Sequence, residues 1–344
     1  MQLGRTDLTM LFNGLLERGH ERVPVAHPAT EMGELFTIEL DDWDDSTVRF
    51  ATDREGYANS RNDVRLEYPS VVADDLPTAD QYVRAAVAAG VVPLANLADI
   101  EDLVERYSDP ALIHGHSPVY VGLDTNLLPW RVDRILGLRD PDEGVGYFNG
   151  FVLATGVRDE LQWDGKCADT GPFEAAFGPA FGEYWNQPLG MDRLWRLGQV
   201  HYRTIRDIDQ ATEITSDRGD DAIVSAYEEY QGTNRAELIL FSNDRNFVEL
   251  AQTNNMIGVH VAFPRDLPRT ASATWKDLET LLYVYTVLFG VLELPGVTLH
   301  GVWSGKEGQD WKRERLKLDC RSPKLADLLE TDLHIVEGHE ELTG

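Results

Sequence analysis

One apolar segment that runs into a carboxylate constrains the fold of this chain more than any other feature. Residues 118–123 read Pro-Val-Tyr-Val-Gly-Leu and are followed by Asp124. A buried strand with a polar residue at its end is typical of open α/β sheets, which bind their ligands at the carboxyl edge. Residues 238–241, Leu-Ile-Leu-Phe, run in the same way into Ser-Asn-Asp, the last of which is Asp244. The two segments predict strands whose terminal aspartates share one acidic pocket.

Two more candidate carboxylates lie between these segments. Residues 151–154 predict a short strand that leads into a helix with Glu160 on its second turn. Further on, Asp220 and Asp221 precede apolar residues whose spacing marks one face of a helix. These apolar residues are Ile223, Val224, Tyr227 and Tyr230. Since this pattern puts Asp221 in the first turn, the candidate acids are Asp124, Glu160, Asp221 and Asp244.

In this order the four acids resemble the motifs of the PIN-domain nucleases. Those motifs are a strand that ends in Asp-Thr-Asn, a Glu-Leu pair in an early helix, an acid that opens a later helix, and a final strand that runs into Ser/Thr-x-Asp-x-x-Phe. The matching positions are Asp124, Glu160, Asp221 and Asp244. The resemblance covers roughly residues 118–264, which is under half of the chain.

The chain departs from the family pattern in three ways. Asn246 stands where many members carry another acid, and Ser242 replaces the commoner threonine. A long insertion, at about residues 163–200, separates Glu160 from the next matching element. These departures put the completeness of the acidic site in question.

The resemblance implies a three-layer α/β fold with a parallel sheet, and metal-dependent hydrolysis of RNA. Asp124, Glu160, Asp221 and Asp244 would be its catalytic residues and would bind Mg²⁺ or Mn²⁺. Phosphodiester hydrolysis must stabilise negative charge on an anionic centre, which a divalent ion does while it activates a water. Such hard cations prefer oxygen ligands. Crowded carboxylates also raise one another's pKa when no metal is bound. Single-stranded DNA is the alternative substrate.

Other interpretations of the same residues stay open. Each acid alone also fits a helix N-cap, a partner of the helix dipole or a surface charge. Asn246 is compatible with a module that kept the fold and lost activity, and that binds RNA or acts as a protein scaffold. A toxin-type ribonuclease is a third interpretation, although such toxins are little longer than the central module. A protein partner or a homo-oligomer is compatible with all three.

A predicted C-terminal hairpin carries an unusual group of positive charges. Its strands would be residues 297–303 and 311–318, joined through residues 305–308. Its basic residues are Lys306, Lys312, Arg313, Arg315 and Lys317, beside Trp303 and Trp311. This composition suits phosphate contact and base stacking, whereas buried tryptophans and ordinary ion pairs are the alternative. A second patch, between residues 193 and 206, adds Arg196 and Arg203 as nucleic-acid candidates, or as partners in surface salt bridges.

The remaining patterns predict three consecutive regions. Residues 1–112 form an α+β region, with strand-like segments at 35–40, 47–51 and 63–68 and helices at 78–89 and 97–107. Residues 113–265 form the PIN-like domain with its insertion. Residues 266–344 form a C-terminal extension with a helix at about 275–292 and the hairpin. The apolar run at 281–292 is too short to span a bilayer and predicts a buried helix.

Composition indicates the environment of the protein. The chain has 59 Asp and Glu against 31 Lys and Arg, a net charge of −28, and only six lysines. Uniform acidity with arginine favoured over lysine is typical of halophiles that keep molar salt in the cell, where charge repulsion is screened. An acidic protein of an ordinary cell is the alternative. The two cysteines lack zinc or disulfide spacing, and Arg5 and Asp7 interrupt any apolar leader, so we expect a cytoplasmic protein without a membrane partner.

Overall fold

The computed structural model describes residues 1–41, 45–108, 115–138, 148–162, 169–184, 187–302, 312 and 314–343. Its strands are β1 (Gln2–Leu3), β2 (Arg22–Ala26), β3 (Glu34–Glu39), β4 (Ser46–Phe50), β5 (Val119–Leu123), β6 (Val152–Ala154), β7 (Thr212–Ile214), β8 (Glu237–Ser242), β9 (Ile257–His260), β10 (Thr270–Ala273), β11 (Val291–Leu294), β12 (Val297–His300) and β13 (Leu316–Cys320). Its α-helices are α1 (Leu8–Leu16), α2 (Arg54–Glu67), α3 (Ser70–Ala73), α4 (Ala79–Ala88), α5 (Leu97–Tyr107), α6 (Val132–Ile135), α7 (Thr155–Glu160), α8 (Gly171–Phe177), α9 (Gly190–Arg203), α10 (Asp220–Asn234), α11 (Arg245–Thr253), α12 (Trp275–Phe289) and α13 (Pro323–Thr343).

The chain divides into two compact units, each built from separate stretches of sequence. Unit 1 comprises Met1–Val92, Gly165–Arg193 and Arg265–Gly344, and unit 2 comprises Pro93–Asp164 and Leu194–Pro264. The sequence pattern predicts three consecutive regions, whereas here the first and last regions belong together. Most of the insertion expected within the PIN-like domain belongs to unit 1.

Unit 1 is built on an antiparallel sheet whose described strands follow the order β1-β13-β12-β11-β2-β3-β4-β10. The pairing of Glu293 in β11 with Ala26 in β2 joins the N-terminal and C-terminal strands into one sheet. Strands β12 and β13 pair antiparallel, as the hairpin pattern predicts. Helix α12 is the expected buried helix, and it begins at a capping box in which Thr274 and Asp277 exchange hydrogen bonds. It ends at Gly290, whose φ of 81° lets the chain turn into β11.

The strand predicted at residues 63–68 is wrong, because these residues end helix α2. The alternation of Val64, Leu66 and Tyr68 imitates a strand, yet Leu66 is 86% exposed. The helix is set by its start, where the Asp53 carboxylate accepts a hydrogen bond from the Gly56 N–H at 2.7 Å. Tyr57 and Val64, two turns apart on one face, are fully buried.

One buried ion pair anchors the end of the insertion within unit 1. The Arg193 side chain is fully buried and contacts the Asp75 carboxylate. It also donates to the Asp75 carbonyl oxygen at 3.1 Å, and the Gly190 N–H donates to Asp75 Oδ1 at 2.8 Å. Burial of both charges is compatible with folding only because each is neutralised and hydrogen-bonded.

Unit 2 is a mixed α/β structure with parallel strands. Strands β5, β8 and β9 form one parallel sheet in that order, and β6 pairs parallel with β7. A parallel bridge between Val121 and Phe151 connects β5 to the start of β6. Residues 238–241 of β8 are all buried, which explains why this strand reads as a continuous apolar run. The mixed α/β class and the parallel sheet are confirmed, whereas the three-layer PIN-like arrangement stays a prediction.

Within the described residues, each helix is too short or too polar to span a bilayer.

Candidate functional site: a carboxylate cluster at a sheet edge

The carboxyl ends of β5 and β8 lie side by side in unit 2. Leu123 is in register with Phe241, and the Asp124 N–H donates to the Phe241 carbonyl oxygen at 3.0 Å. Asp124 and Ser242 are therefore the next residues of adjacent parallel strands. This is the edge at which open α/β sheets bind ligands.

Asp124 is buried, and one of its oxygens is fixed by two donors. The Ser242 hydroxyl donates to Asp124 Oδ2 at 2.5 Å, and Asn126 Nδ2 donates to the same oxygen at 2.6 Å. Asn126 Oδ1 in turn accepts the Asn243 N–H at 3.1 Å. The Asp-Thr-Asn segment is therefore held against the end of β8, and the direction of the Asp124 carboxylate is set by this network.

Asp244 follows β8 and caps helix α11. Its N–H donates to the Ser242 hydroxyl oxygen at 2.8 Å, and its Oδ1 accepts the Asn246 N–H at 2.8 Å. The carboxylate is exposed, in contrast to that of Asp124. Asp244 thus has a structural task as an N-cap, and Asn246 contributes its backbone N–H to that cap.

Glu160 is the last residue of helix α7, and both of its oxygens are engaged. Thr125 Oγ1 donates to Glu160 Oε2 at 2.5 Å, and the Gly219 N–H donates to Oε1 at 2.9 Å. Glu160 therefore connects the segment after β5 with the start of helix α10. Through Thr125, the residue after Asp124, Glu160 is held near the end of β5.

The loop before α10 is held closely against helix α7. The Gly156 N–H donates to Ser216 Oγ at 2.8 Å, and the Ser216 N–H donates to Thr155 Oγ1 at 2.8 Å. A Cβ on Gly156 would lie 2.2 Å from the Asp217 carbonyl oxygen, so only glycine permits this approach. These contacts fix the position at which α10 starts.

Asp220 shares the electrostatic environment of the other acids. The pKa of Asp220 is raised by burial and by the negative charges of Asp244 and Glu160, with Asp221 as a smaller cause. Asp220 is exposed at the start of α10, three and four residues before the buried Ile223 and Val224 and in line with them along the helix. The sequence pattern contained this signal, because the same spacing that defines the apolar face includes position 220. The metal-binding role predicted for Asp221 stays a prediction.

Asp124 is the most perturbed acid of the group. Burial, which is the largest cause, and the charges of Asp220 and Glu160 together raise the pKa of Asp124 to about 7, against the opposing effect of the hydrogen bond from Ser242. No arginine or lysine of the described chain is among the causes of the shifts at Asp124 and Asp220. The four acids Asp124, Glu160, Asp220 and Asp244 therefore form a group of neighbouring negative charges, which we call the carboxylate cluster.

The cluster is not a closed coordination shell. In the described part of the chain, no three side chains of His, Cys, Asp or Glu are arranged tightly enough to hold a metal ion as they stand. Mutual repulsion of like charges disfavours a tighter arrangement in the absence of a cation.

The predicted basic residues lie in varied environments. Lys306 and Arg313 lie outside the described residues, as do Trp303 and Trp311. Lys317 belongs to β13, and its ammonium pairs with the Glu183 carboxylate. Lys312 and Arg315 belong to unit 1 and have interactions of their own.

The second basic patch is largely occupied with internal contacts. The Arg196 side chain is buried, and Arg206 forms an ion pair with Asp207 at 2.7 Å. Arg203, half-buried at the end of α9, makes no ion pair among the described residues. The nucleic-acid role of Arg196, Arg203 and the hairpin residues stays a prediction.

No family model, curated protein or solved structure matches this chain.

Proposed function

We propose that unit 2 is a metal-dependent nuclease of PIN type that hydrolyses the phosphodiester bonds of RNA. One observation carries the proposal: Asp124, Glu160, Asp220 and Asp244 interact at the carboxyl edge of a parallel sheet, and no described basic group offsets the raised pKa of Asp124 or Asp220. Uncompensated carboxylates destabilise the folded state, and retained groups of this kind are typical of functional sites. A bound cation would remove this cost.

The chemistry of the donor set fits Mg²⁺ or Mn²⁺. Carboxylate oxygens are the ligands that such hard cations take, and a divalent ion would favour the ionised form of Asp124. When bound, the ion supplies positive charge against the phosphate and a nucleophilic water. Asp124 and Asp220 are its main ligands in this proposal, with Glu160, Asp244 and the predicted Asp221 completing the site.

The chain's own residues would keep the ligands in place during the reaction. Ser242 and Asn126 hold Oδ2 of Asp124, so that this carboxylate keeps one orientation. Thr125 and the Gly219 N–H hold Glu160 in the same way. Because a reaction that depends on positioned charge is sensitive to small displacements, these four donors are positioning groups for the site.

The fold supports the same proposal. Strands β5, β6, β7, β8 and β9 would have the spatial order β7-β6-β5-β8-β9 if the bridge at Val121 and Phe151 continues the sheet. In that order Asp124 follows the central strand, β5, and Asp244 follows its neighbour, β8. The resemblance to the PIN family, carried by Asp124, Glu160, Asp221 and Asp244, adds RNA as the substrate class.

The test is cleavage of a labelled single-stranded RNA in molar KCl with Mn²⁺. We expect cleavage by the unaltered protein to stop with chelator, and Asp124→Asn and Asp220→Asn to lower its rate by roughly a hundredfold or more, as expected when a metal ligand is removed. Glu229→Gln is the matched control for charge, because it removes an exposed carboxylate of the same helix, α10, that lies outside the proposed metal site. An Asp124→Asn protein that cleaves RNA as fast as the unaltered protein would show that Asp124 is structural.

A second candidate function is RNA binding without cleavage. The use of Asp244 as the cap of α11, with an asparagine at 246, favours it, because one acid of the family pattern is then absent and another has a structural task. Under this alternative, RNA binds equally well with Mn²⁺ and with chelator, and no cleavage product forms.

A further inference from the structure

Positive charge in unit 2 is scarce and comes only from arginine. The sequence of residues 93–164 and 194–264 contains no lysine. Several of its arginines are neutralised by acids, such as Arg158 by Asp159 and Arg206 by Asp207. The described arginines of this unit that make no ion pair are Arg106, Arg134, Arg203, Arg218, Arg235 and Arg245.

Two of these arginines, Arg218 and Arg245, lie at the same sheet edge as the carboxylate cluster. Arg218 precedes the Gly219 whose N–H binds Glu160, and Asp220 follows. Its Nη2 donates to Gln162 Oε1 at 3.1 Å, so the guanidinium lies beside the end of the helix that carries Glu160. Arg245 directly follows Asp244 as the first residue of α11.

Local stability does not explain these positions. Both arginines are exposed and stand at the N-terminal ends of helices, where the helix dipole disfavours positive charge. Arg235, in contrast, stands at the C-terminal end of α10, where the dipole favours it. A charge placed against the local preference, without an ion-pair partner among the described residues, is expected where a ligand supplies the missing negative charge.

We propose that Arg218 and Arg245 bind the phosphates that flank the scissile phosphate of a single-stranded RNA, so that the site takes a polynucleotide chain and not a mononucleotide. This inference rests on the proposed function of the carboxylate cluster. Guanidinium groups bind phosphate oxygens with two parallel hydrogen bonds. The carboxylate cluster repels a polyanion, and Arg218 and Arg245 would attract the phosphates on either side of it while leaving the carboxylates free for a metal.

The experiment measures binding of a fluorescently labelled single-stranded RNA by anisotropy, with chelator present, across a KCl series. Each of Arg218→Gln and Arg245→Gln should weaken binding roughly tenfold at moderate salt, in keeping with a charge-assisted hydrogen bond. The slope of log affinity against log salt should become shallower by about 0.7 for each phosphate that the protein no longer neutralises. Arg235→Gln, which alters an exposed arginine at the opposite sheet edge, is the matched control and should leave both quantities unchanged. Arg218→Lys and Arg245→Lys, which keep the charge, should restore most of the slope.

Two outcomes would overturn the inference. One is an Arg218→Gln, Arg245→Gln double variant that binds RNA with the affinity and salt slope of Arg235→Gln. The other is a lysine pair that binds no better than the glutamine pair. Hydrolysis of bis(p-nitrophenyl) phosphate by the unaltered protein with Mn²⁺ tests the proposed function separately, because this small diester has no flanking phosphates.

Discussion

The Ser242 hydroxyl donates a hydrogen bond to Asp124 Oδ2 at 2.5 Å and so links the ends of two neighbouring parallel strands. The same hydroxyl oxygen accepts the Asp244 N–H at 2.8 Å. One small side chain therefore fixes both strand-end aspartates relative to each other. Ser242 is fully buried, so water cannot replace these bonds when the hydroxyl is removed.

We expect Ser242→Ala to raise the pKa of Asp124 further and to lower stability by about 1–3 kcal/mol, the usual cost of leaving buried polar groups without a partner. The hydrogen bond from Ser242 lowers the pKa of Asp124 in the intact protein, and its removal leaves burial and like charges unopposed. Urea unfolding between pH 4 and pH 9, with chelator, would measure both effects. A pH profile identical to that of the unaltered protein would contradict the prediction.

Asp124→Asn should stabilise the metal-free protein at alkaline pH. The pKa of Asp124 is about 7 in the folded chain against an ordinary value of 3.8, so the folded state binds the extra proton between these values. The Asp124 carboxyl therefore contributes most to the free energy of unfolding below about pH 4. This contribution falls as the pH rises and is lost above about pH 7, a decrease of roughly 4 kcal/mol for a shift of about three units. The variant should lose this dependence and unfold at higher urea than the unaltered protein at pH 8.

At pH 8, a divalent metal should make the unaltered protein more stable than Asp124→Asn, which is the reverse of their order without metal. Binding to the folded state alone stabilises it in proportion to the logarithm of the free metal concentration. The unaltered protein should therefore gain melting temperature with Mn²⁺, whereas Asp124→Asn should gain little. An equal gain in both proteins would mean that Mn²⁺ binds elsewhere.

Asp220 and Asp221 provide a test of which acid belongs to the cluster. The charge of Asp220 raises the pKa of Asp124, and Asp221 is not among the causes of that shift. Asp220→Asn should therefore lower the pH at which ionisation of Asp124 destabilises the folded protein, and Asp221→Asn should leave that pH unchanged. The measurement is again urea unfolding as a function of pH with chelator present. A larger shift for Asp221→Asn than for Asp220→Asn would place Asp221 in the cluster instead of Asp220.

The local patterns of the sequence located much of the site. A buried apolar run that stops at a carboxylate is a local signal, so the strand ends at Asp124 and Asp244 were predictable. Asp220 was predictable in principle, because positions 220, 223, 224 and 227 share one face of α10.

The assembly of the units could not be predicted in the same way. The pairing of Ala26 with Glu293 joins segments from the two ends of the chain, and local sequence patterns do not predict contacts between such distant segments. The error at residues 63–68 has a similar cause, since Leu66 looks apolar in sequence and only the packing of Tyr57 and Val64 shows that it faces solvent.

Breaking the buried ion pair of unit 1 should cost far more than breaking an exposed one. Arg193→Met leaves the buried Asp75 carboxylate without its cation, which typically costs about 3–5 kcal/mol. Arg22→Met, which breaks the exposed pair with Glu39, should cost about 1 kcal/mol or less. Comparing the urea midpoints of the two variants measures the difference, and an Asp75→Asn, Arg193→Met double variant should recover part of the stability.

Salt should raise the melting temperature of the whole protein. With a net charge of −28, repulsion between carboxylates destabilises the folded chain in dilute buffer, and molar KCl reduces the Debye length to about 3 Å. Thermal unfolding followed by tryptophan fluorescence from low to molar KCl tests this. A melting temperature that falls with salt would exclude the halophilic interpretation.

The interleaving of the two units determines when this protein can fold during its synthesis. Strands β2, β3 and β4 leave the ribosome long before β11, the neighbour of β2 in the finished sheet. The first stretch of unit 2, Pro93–Asp164, likewise cannot complete its fold before Leu194–Pro264 has been synthesised. Contacts so distant in sequence slow folding and leave sheet edges open to wrong partners. Unit 2 can therefore complete its fold once Pro264 has emerged, whereas the sheet of unit 1 stays incomplete until β11, β12 and β13 are made, and its early strands expose an unpaired edge in that interval.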